Sequence, residues 1–260
     1  MILNRSTRAL FSGCTSRPLS TAVASASASV LRPLTMAQRR FAPLDADGGD
    51  VPALKGIVFD VDGTLCLPQH YMFQEMRDAL GIEKGVDIIH HIRGLPTFTA
   101  RTDAIAIVRD IERKAMVKQV PQPGLVELMD YLNSKGVKRA LCTRNFDGPV
   151  NHLIKSHLAT HVFAPIITRD TPNIMPKPDP AGILHIARAW ELEDASGLIM
   201  VGDSLDDMTA GHKAGAATVL LLNERNRDLK DHEHTDLCIE RLDELINVLE
   251  TGFCGTRERP

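Results

Sequence analysis

Asp60 and Asp62 stand two residues apart in Phe59-Asp60-Val61-Asp62-Gly63-Thr64-Leu65, directly after the apolar run Gly56-Ile57-Val58-Phe59. If that run forms a strand, side chains at i and i+2 share a face, and both carboxylates converge on one small site. Close carboxylates raise one another's pKa unless a cation or hydrogen bonds hold them charged, which points to a hard metal ion such as Mg2+. A calcium loop would repeat oxygen ligands and end in a Glu about a dozen positions on. This stretch continues instead as Cys66-Leu67-Pro68.

The elements that must position such a pair can be read from periodicity. Apolar runs at 56–60, 137–142, 165–168, 198–203 and 216–222 alternate with segments of helical spacing such as Leu125, Leu128, Met129 and Leu132. Several runs are apolar throughout, as expected of strands covered on both faces, so the fold class is α/β with a doubly wound parallel sheet. In such sheets ligands bind beyond the carboxyl ends of the strands. The segment 67–120 breaks the alternation. Met72, Phe73, Met76 and Leu80 keep helical spacing up to Gly81, and 100–117 reads as a longer helix. A small helical insert after the first strand is expected there, with the core at 45–66 and 121–260.

The residues closing the apolar runs are Asp60 and Asp62, then Thr143, Arg144 and Asn145, then Asp203; Lys177 joins them from Met175-Pro176-Lys177-Pro178. With these residues the chain resembles the haloacid dehalogenase superfamily of hydrolases, over about 55–250. Four ordered motifs carry the likeness: Asp60-Val61-Asp62-Gly63-Thr64, Leu141-Cys142-Thr143, Lys177-Pro178, and Gly202-Asp203-Ser204-Leu205-Asp206-Asp207. Within the superfamily it is most similar to the helical-cap, phosphatase-like group and to fungal members of it.

The resemblance implies a Rossmann-like core, an aspartyl-phosphate on Asp60, and Asp62 as the acid and then the base. It implies Mg2+ held by Asp60, the backbone carbonyl of Asp62, Asp203 and Asp207. It implies phosphate contacts from Thr143, from backbone N–H groups near Arg144 and from Lys177, with Gly63 turning the chain beneath the phosphoryl group. Asp206 is read as a first-turn helix acid. Asn145 could cap the helix leading to Pro149 and Arg144 could face solvent or substrate, while Cys142 is read as core and the histidines, His212 among them, as structural or surface groups. Arg93 and Arg101 are the candidate cap contacts for an anionic substrate. The implied activity is hydrolysis of a small phosphorylated metabolite; the alternatives are a phosphomutase and a noncatalytic binding module.

The composition is that of an ordinary globular protein: 260 residues, 43% hydrophobic, 24% charged, formal net charge -3. No long electropositive field or membrane-length apolar stretch is present, which gives no support to a nucleic-acid or membrane partner. The five cysteines form no Cys-x-x-Cys pair, which speaks against a zinc site or a disulfide framework. Residues 1–44 contain no Asp or Glu but six arginines among many Ser and Ala residues. That leader matches a mitochondrial transit peptide, with a matrix location expected; read as a plain tail, it would leave the protein cytoplasmic.

Overall fold

The computed structural model describes residues 41–45 and 51–255. Most of the leader therefore lies outside the described residues, and so does the import expectation attached to it.

Six strands form one all-parallel sheet: β1 (Gly56–Phe59), β2 (Arg139–Cys142), β3 (Ile166–Ile167), β4 (Leu198–Gly202), β5 (Ala217–Leu221) and β6 (Leu237–Ile239), in the order β3-β2-β1-β4-β5-β6. The order reverses direction at β1 and β4, which is where a doubly wound sheet opens its ligand crevice. Alternate residues of β1 face opposite layers. Ile57 and Phe59 join a core with Leu128, Leu132, Leu153 and Leu245, whereas Val58 joins one with Ile183, Ile186 and Ala210. On the first face lie α4 (Leu125–Ser134), α5 (Asp147–His157) and α8 (Glu244–Thr251); on the second lie α6 (Ala181–Ala189) and α7 (Leu205–Ala214). Each fully buried Leu or Ile contributes roughly 1.5–3 kcal/mol of transfer free energy.

The insert is α1 (His70–Leu80), α2 (Ile88–Gly94) and α3 (Phe98–Met116), which share a small core of their own built from Met72, Met76, Ile88, Ile92, Ala104 and Val108. Gly81 ends α1 at φ 66°, a conformation that costs glycine little. Asp87 caps α2 through the amide of His90 at 2.7 Å, and Thr97 caps α3 through that of Ala100 at 3.1 Å.

Two expectations about strands need correction. The strand at 165–168 contracts to Ile166–Ile167, because it pairs only with β2 and Pro165 has no N–H to donate. The edge strand β6 was not read from the sequence, since its apolar run, Leu237-Cys238-Ile239, is short and flanked by Asp236 and Glu240. Among the described residues no helix is long and apolar enough to cross a membrane.

Candidate active site

β1 ends at Phe59, and the chain turns through Gly63 at φ 83°. A Cβ at that position would collide with the Asp203 carboxylate, so glycine meets both the backbone requirement and the close approach. Gln122, from the segment that follows the insert, clamps the turn by donating to the Gly63 carbonyl at 2.8 Å. β4 delivers Asp203 in the same way. Ser204 then opens α7 with a capping box: its Oγ accepts from the Asp207 amide, while Asp207 Oδ2 accepts from the Ser204 amide at 3.0 Å and from its hydroxyl at 2.6 Å. Holding Oδ2 this way leaves Asp207 Oδ1 facing the site.

Lys177 brings the parts together. Its ammonium lies 2.6 Å from Asp60 Oδ1 and 2.6 Å from Asp207 Oδ1, and the residue is only 4% exposed. Burial disfavours its charge, but the carboxylates of Asp207 and Asp60 more than compensate and hold the lysine protonated well above its usual range. One oxygen each from Asp60, Asp203 and Asp207 lies within 4.8 Å of the others. Burial, partly offset by Lys177 and reinforced by Asp207 and Asp62, pushes Asp60 up to about 7. Burial and repulsion from Asp207 and Asp60 push Asp203 up to about 8. Two buried carboxylates and a half-buried third beside one lysine form an all-oxygen donor set short of positive charge, and a divalent hard cation fits it.

Asp62 sits apart from that cluster. Its Oδ2 accepts from Asn145 Nδ2 at 2.8 Å, and burial raises its pKa against the lowering effect of that hydrogen bond, of Lys177 and of Arg169. Thr143 is 6% exposed, and its Oγ1 accepts from the Asn145 amide at 3.1 Å, which leaves the hydroxyl hydrogen available to donate. A cavity of 370 Å3 lies over these residues, with Asp60, Asp62, Thr143, Lys177, Asp203 and Asp207 on its floor and Met72, Met76, Ile88, Val108 and Glu112 of the insert above.

Most of the residues singled out in the sequence meet at this cavity, but some take other places. Arg144 lines it with its guanidinium ion-paired with Asp87 of the insert and Asp206 of α7, so the side chain joins elements, which leaves only the backbone N–H groups near it for the expected phosphate contact. Asp206 is thus a partner of Arg144 as well as a first-turn acid. Asn145 does not cap α5, whose N-cap is Phe146; it holds Asp62. Arg93 is exposed on the last turn of α2, and Arg101 donates to the Leu95 carbonyl at 2.6 Å, so neither reaches the cavity. His212 is half-buried and stacked on His234, with ring centroids 4.3 Å apart, so it is no simple surface group. Cys142 is core, 4% exposed, with burial pushing its thiol up to about 11.

Sequence reading passed over four residues. Asn223 donates to Asp203 Oδ2 at 3.1 Å, and Asn226 donates to the Asp203 carbonyl at 2.8 Å. Both follow β5, so the strand-end rule extended one strand further would have found them. Glu112 and Arg169 form a pair across the insert and the core at 2.6 Å, which no local pattern announces.

Comparison with known proteins gives the chain's relatives. Residues 54–215 match the family model described as haloacid dehalogenase-like hydrolase. A hydrolase of Saccharomyces cerevisiae is 43% identical over 202 residues, covering 76% of this chain and 91% of its own. A phosphoglycolate phosphatase of Agrobacterium fabrum is 34% identical over 100 residues, covering 38% of this chain and 42% of its own. In fold, the chain resembles a family IA hydrolase of Entamoeba histolytica, with a TM-score of 0.64 and 17% identity over 75% of this chain and 99% of the other.

Proposed function

Since the chain belongs to the haloacid dehalogenase-like hydrolases, we propose that it is a Mg2+-dependent phosphomonoesterase acting on a small phosphorylated metabolite through an aspartyl-phosphate. The observation carrying this reading is that Asp60, buried against Lys177, Asp203 and Asp207, opens onto the same cavity as an Asp62 held separately by Asn145. Two carboxylates in different surroundings can divide nucleophile from acid.

In this mechanism Asp60 attacks phosphorus and the bond to the leaving oxygen breaks. Asp62 delivers its proton to that oxygen as it departs. A water then attacks the aspartyl-phosphate and gives its proton to Asp62, which frees Asp60 and inorganic phosphate. Lys177 and the Thr143 hydroxyl meet the equatorial oxygens, where charge gathers in phosphoryl transfer. Asp60, Asp203 and Asp207 would hold Mg2+, with Asn223 and Asn226 fixing Asp203. When bound, that ion supplies positive charge against the transferred group. The insert serves as a cap that excludes water from the cavity.

The test is phosphate release from a panel of phosphomonoesters, with and without Mg2+, beside Asp60→Asn. Mg2+-dependent release that falls at least ~10^3-fold in the variant is expected. Conversion to an isomeric phosphate without release would mean a mutase, and a folded protein inert to every ester would mean a binding role.

A further inference from the structure

The cations of the active cavity are divided unevenly. Lys177 is matched by Asp60 and Asp207, Arg144 by Asp87 and Asp206, and Arg169 by Glu112. A second anion placed close to the scissile phosphate would therefore find these charges already neutralised, beside several carboxylates that repel it. Arg77 is the exception, and it stands at the cavity's outer edge.

Three residues that line the cavity, His70, Phe73 and Arg77, also line a neighbouring open groove of 530 Å3. Arg77, Lys84 and Arg225 line this groove together with His70, Gln74 and the rings of Tyr71 and Phe73, and no carboxylate is among its lining residues. None of the three cations is ion-paired with a described residue. Arg225 also lies close enough to His70 to add to the burial that lowers the imidazole's pKa. The groove straddles two parts of the chain, since Arg77 and Lys84 belong to the insert and Arg225 follows β5.

On the phosphatase reading above, we infer that the substrate is a phosphomonoester carrying a second anionic group remote from the scissile phosphate, received in the groove by Arg77, Lys84 and Arg225. Guanidinium and ammonium groups suit a phosphate or carboxylate. The Tyr71 and Phe73 rings flank the body of the substrate between its two ends. A two-carbon ester such as phosphoglycolate keeps its carboxylate in the inner cavity, where the cations are spent, and is a poor match. A ligand spanning both spaces also ties the insert to the core, so remote binding favours closure over the reacting centre.

The experiment compares kcat and KM for p-nitrophenyl phosphate, phosphoglycolate, a hexose 1,6-bisphosphate and a nucleoside 3′,5′-bisphosphate, in the wild type and in the double variant Lys84→Ala/Arg225→Ala. Both positions are exposed, and thermal unfolding verifies that the variant is folded. The wild type should prefer a bisphosphate to phosphoglycolate. The ratio of kcat/KM for bisphosphate over p-nitrophenyl phosphate should fall about tenfold or more in the variant, mainly through KM. Preference for phosphoglycolate, or an unchanged ratio, overturns the inference while Mg2+-dependent hydrolysis of p-nitrophenyl phosphate upholds the phosphatase reading. Failure to hydrolyse any of the four overturns both.

Discussion

In the proposed mechanism Asp62 has to hold a proton when the leaving oxygen departs and to accept one when water attacks, and its neighbours act on both requirements. Burial raises its pKa and favours the acid, while the Asn145 hydrogen bond, Lys177 and Arg169 restrain the rise. Removing Asn145 therefore has a definite sign. In Asn145→Ala the pKa of Asp62 climbs further, the protonated form persists to higher pH, and the basic limb of the kcat profile moves upward. The carboxyl also loses its orienting contact at 2.8 Å, so kcat at the optimum should drop roughly 10- to 100-fold, a part of what positioned acid–base catalysis supplies. A pH–rate profile that keeps its basic limb in place would show that Asn145 does not set the titration of Asp62. At this scale the sequence was informative wherever a residue closed an apolar run, as with Asp60, Asp62, Thr143 and Asp203. It was silent on Asn145 as a partner of Asp62, because the two are 83 positions apart and no periodicity links them.

The helical insert touches the core through charges that come from separate elements. Asp87 at the start of α2 pairs with Arg144, Arg109 of α3 with Asp170, and Glu112 of α3 with Arg169. The Glu112 pair is the most buried, with side chains 6% and 20% exposed. Burial raises the Glu112 pKa, with the Arg169 hydrogen bond and charge opposing it. In Glu112→Gln, Arg169 keeps its charge and loses its counter-ion, at a cost of about 1–3 kcal/mol. Urea unfolding at neutral pH should report an unfolding free energy lower by that amount and hence a lower midpoint, and an unshifted midpoint would mean that water already serves Arg169. Of this insert's helices, α1 was legible because Met72, Met76 and Leu80 recur at helical spacing and Gly81 stops them, and α3 as the longer helix at 100–117; α2 was not read. The side chains that anchor it to the core were not. Arg93 and Arg101 have the chemistry of an anion contact, but the helix faces that carry them turn away from the cavity, and a turn signal at Gly94 and Pro96 does not specify that direction.

Across the whole molecule, the carboxylate cluster couples stability to pH. Asp60 and Asp203 rise from 3.8 in the unfolded reference to about 7 and about 8 in the fold. The native state therefore binds more protons than the unfolded chain between those values, and its stability falls as pH rises through the window. Other groups leave this sign intact. The lowered carboxylates Asp87, Asp110, Asp194 and Asp243 act below 3.8, and the raised Lys177 acts above 10.5. His70, lowered by burial and by Arg225, works the other way but is one half-buried group against the two carboxylates. A divalent cation among the carboxylates competes with those protons, so it binds more tightly as pH rises and restores what the pH change removes. In chelator the melting temperature should decline from about pH 5 to about pH 8.5. Added Mg2+ should raise it more at the upper end than at the lower, by about 2.7 kcal/mol of stability at a hundredfold excess over its Kd. Asp203→Asn removes one member of the cluster and should flatten both dependences. A melting temperature in chelator that is level across this range, or a Mg2+ increment equal at its two ends, would show that the three carboxylates do not hold the ion in exchange for protons.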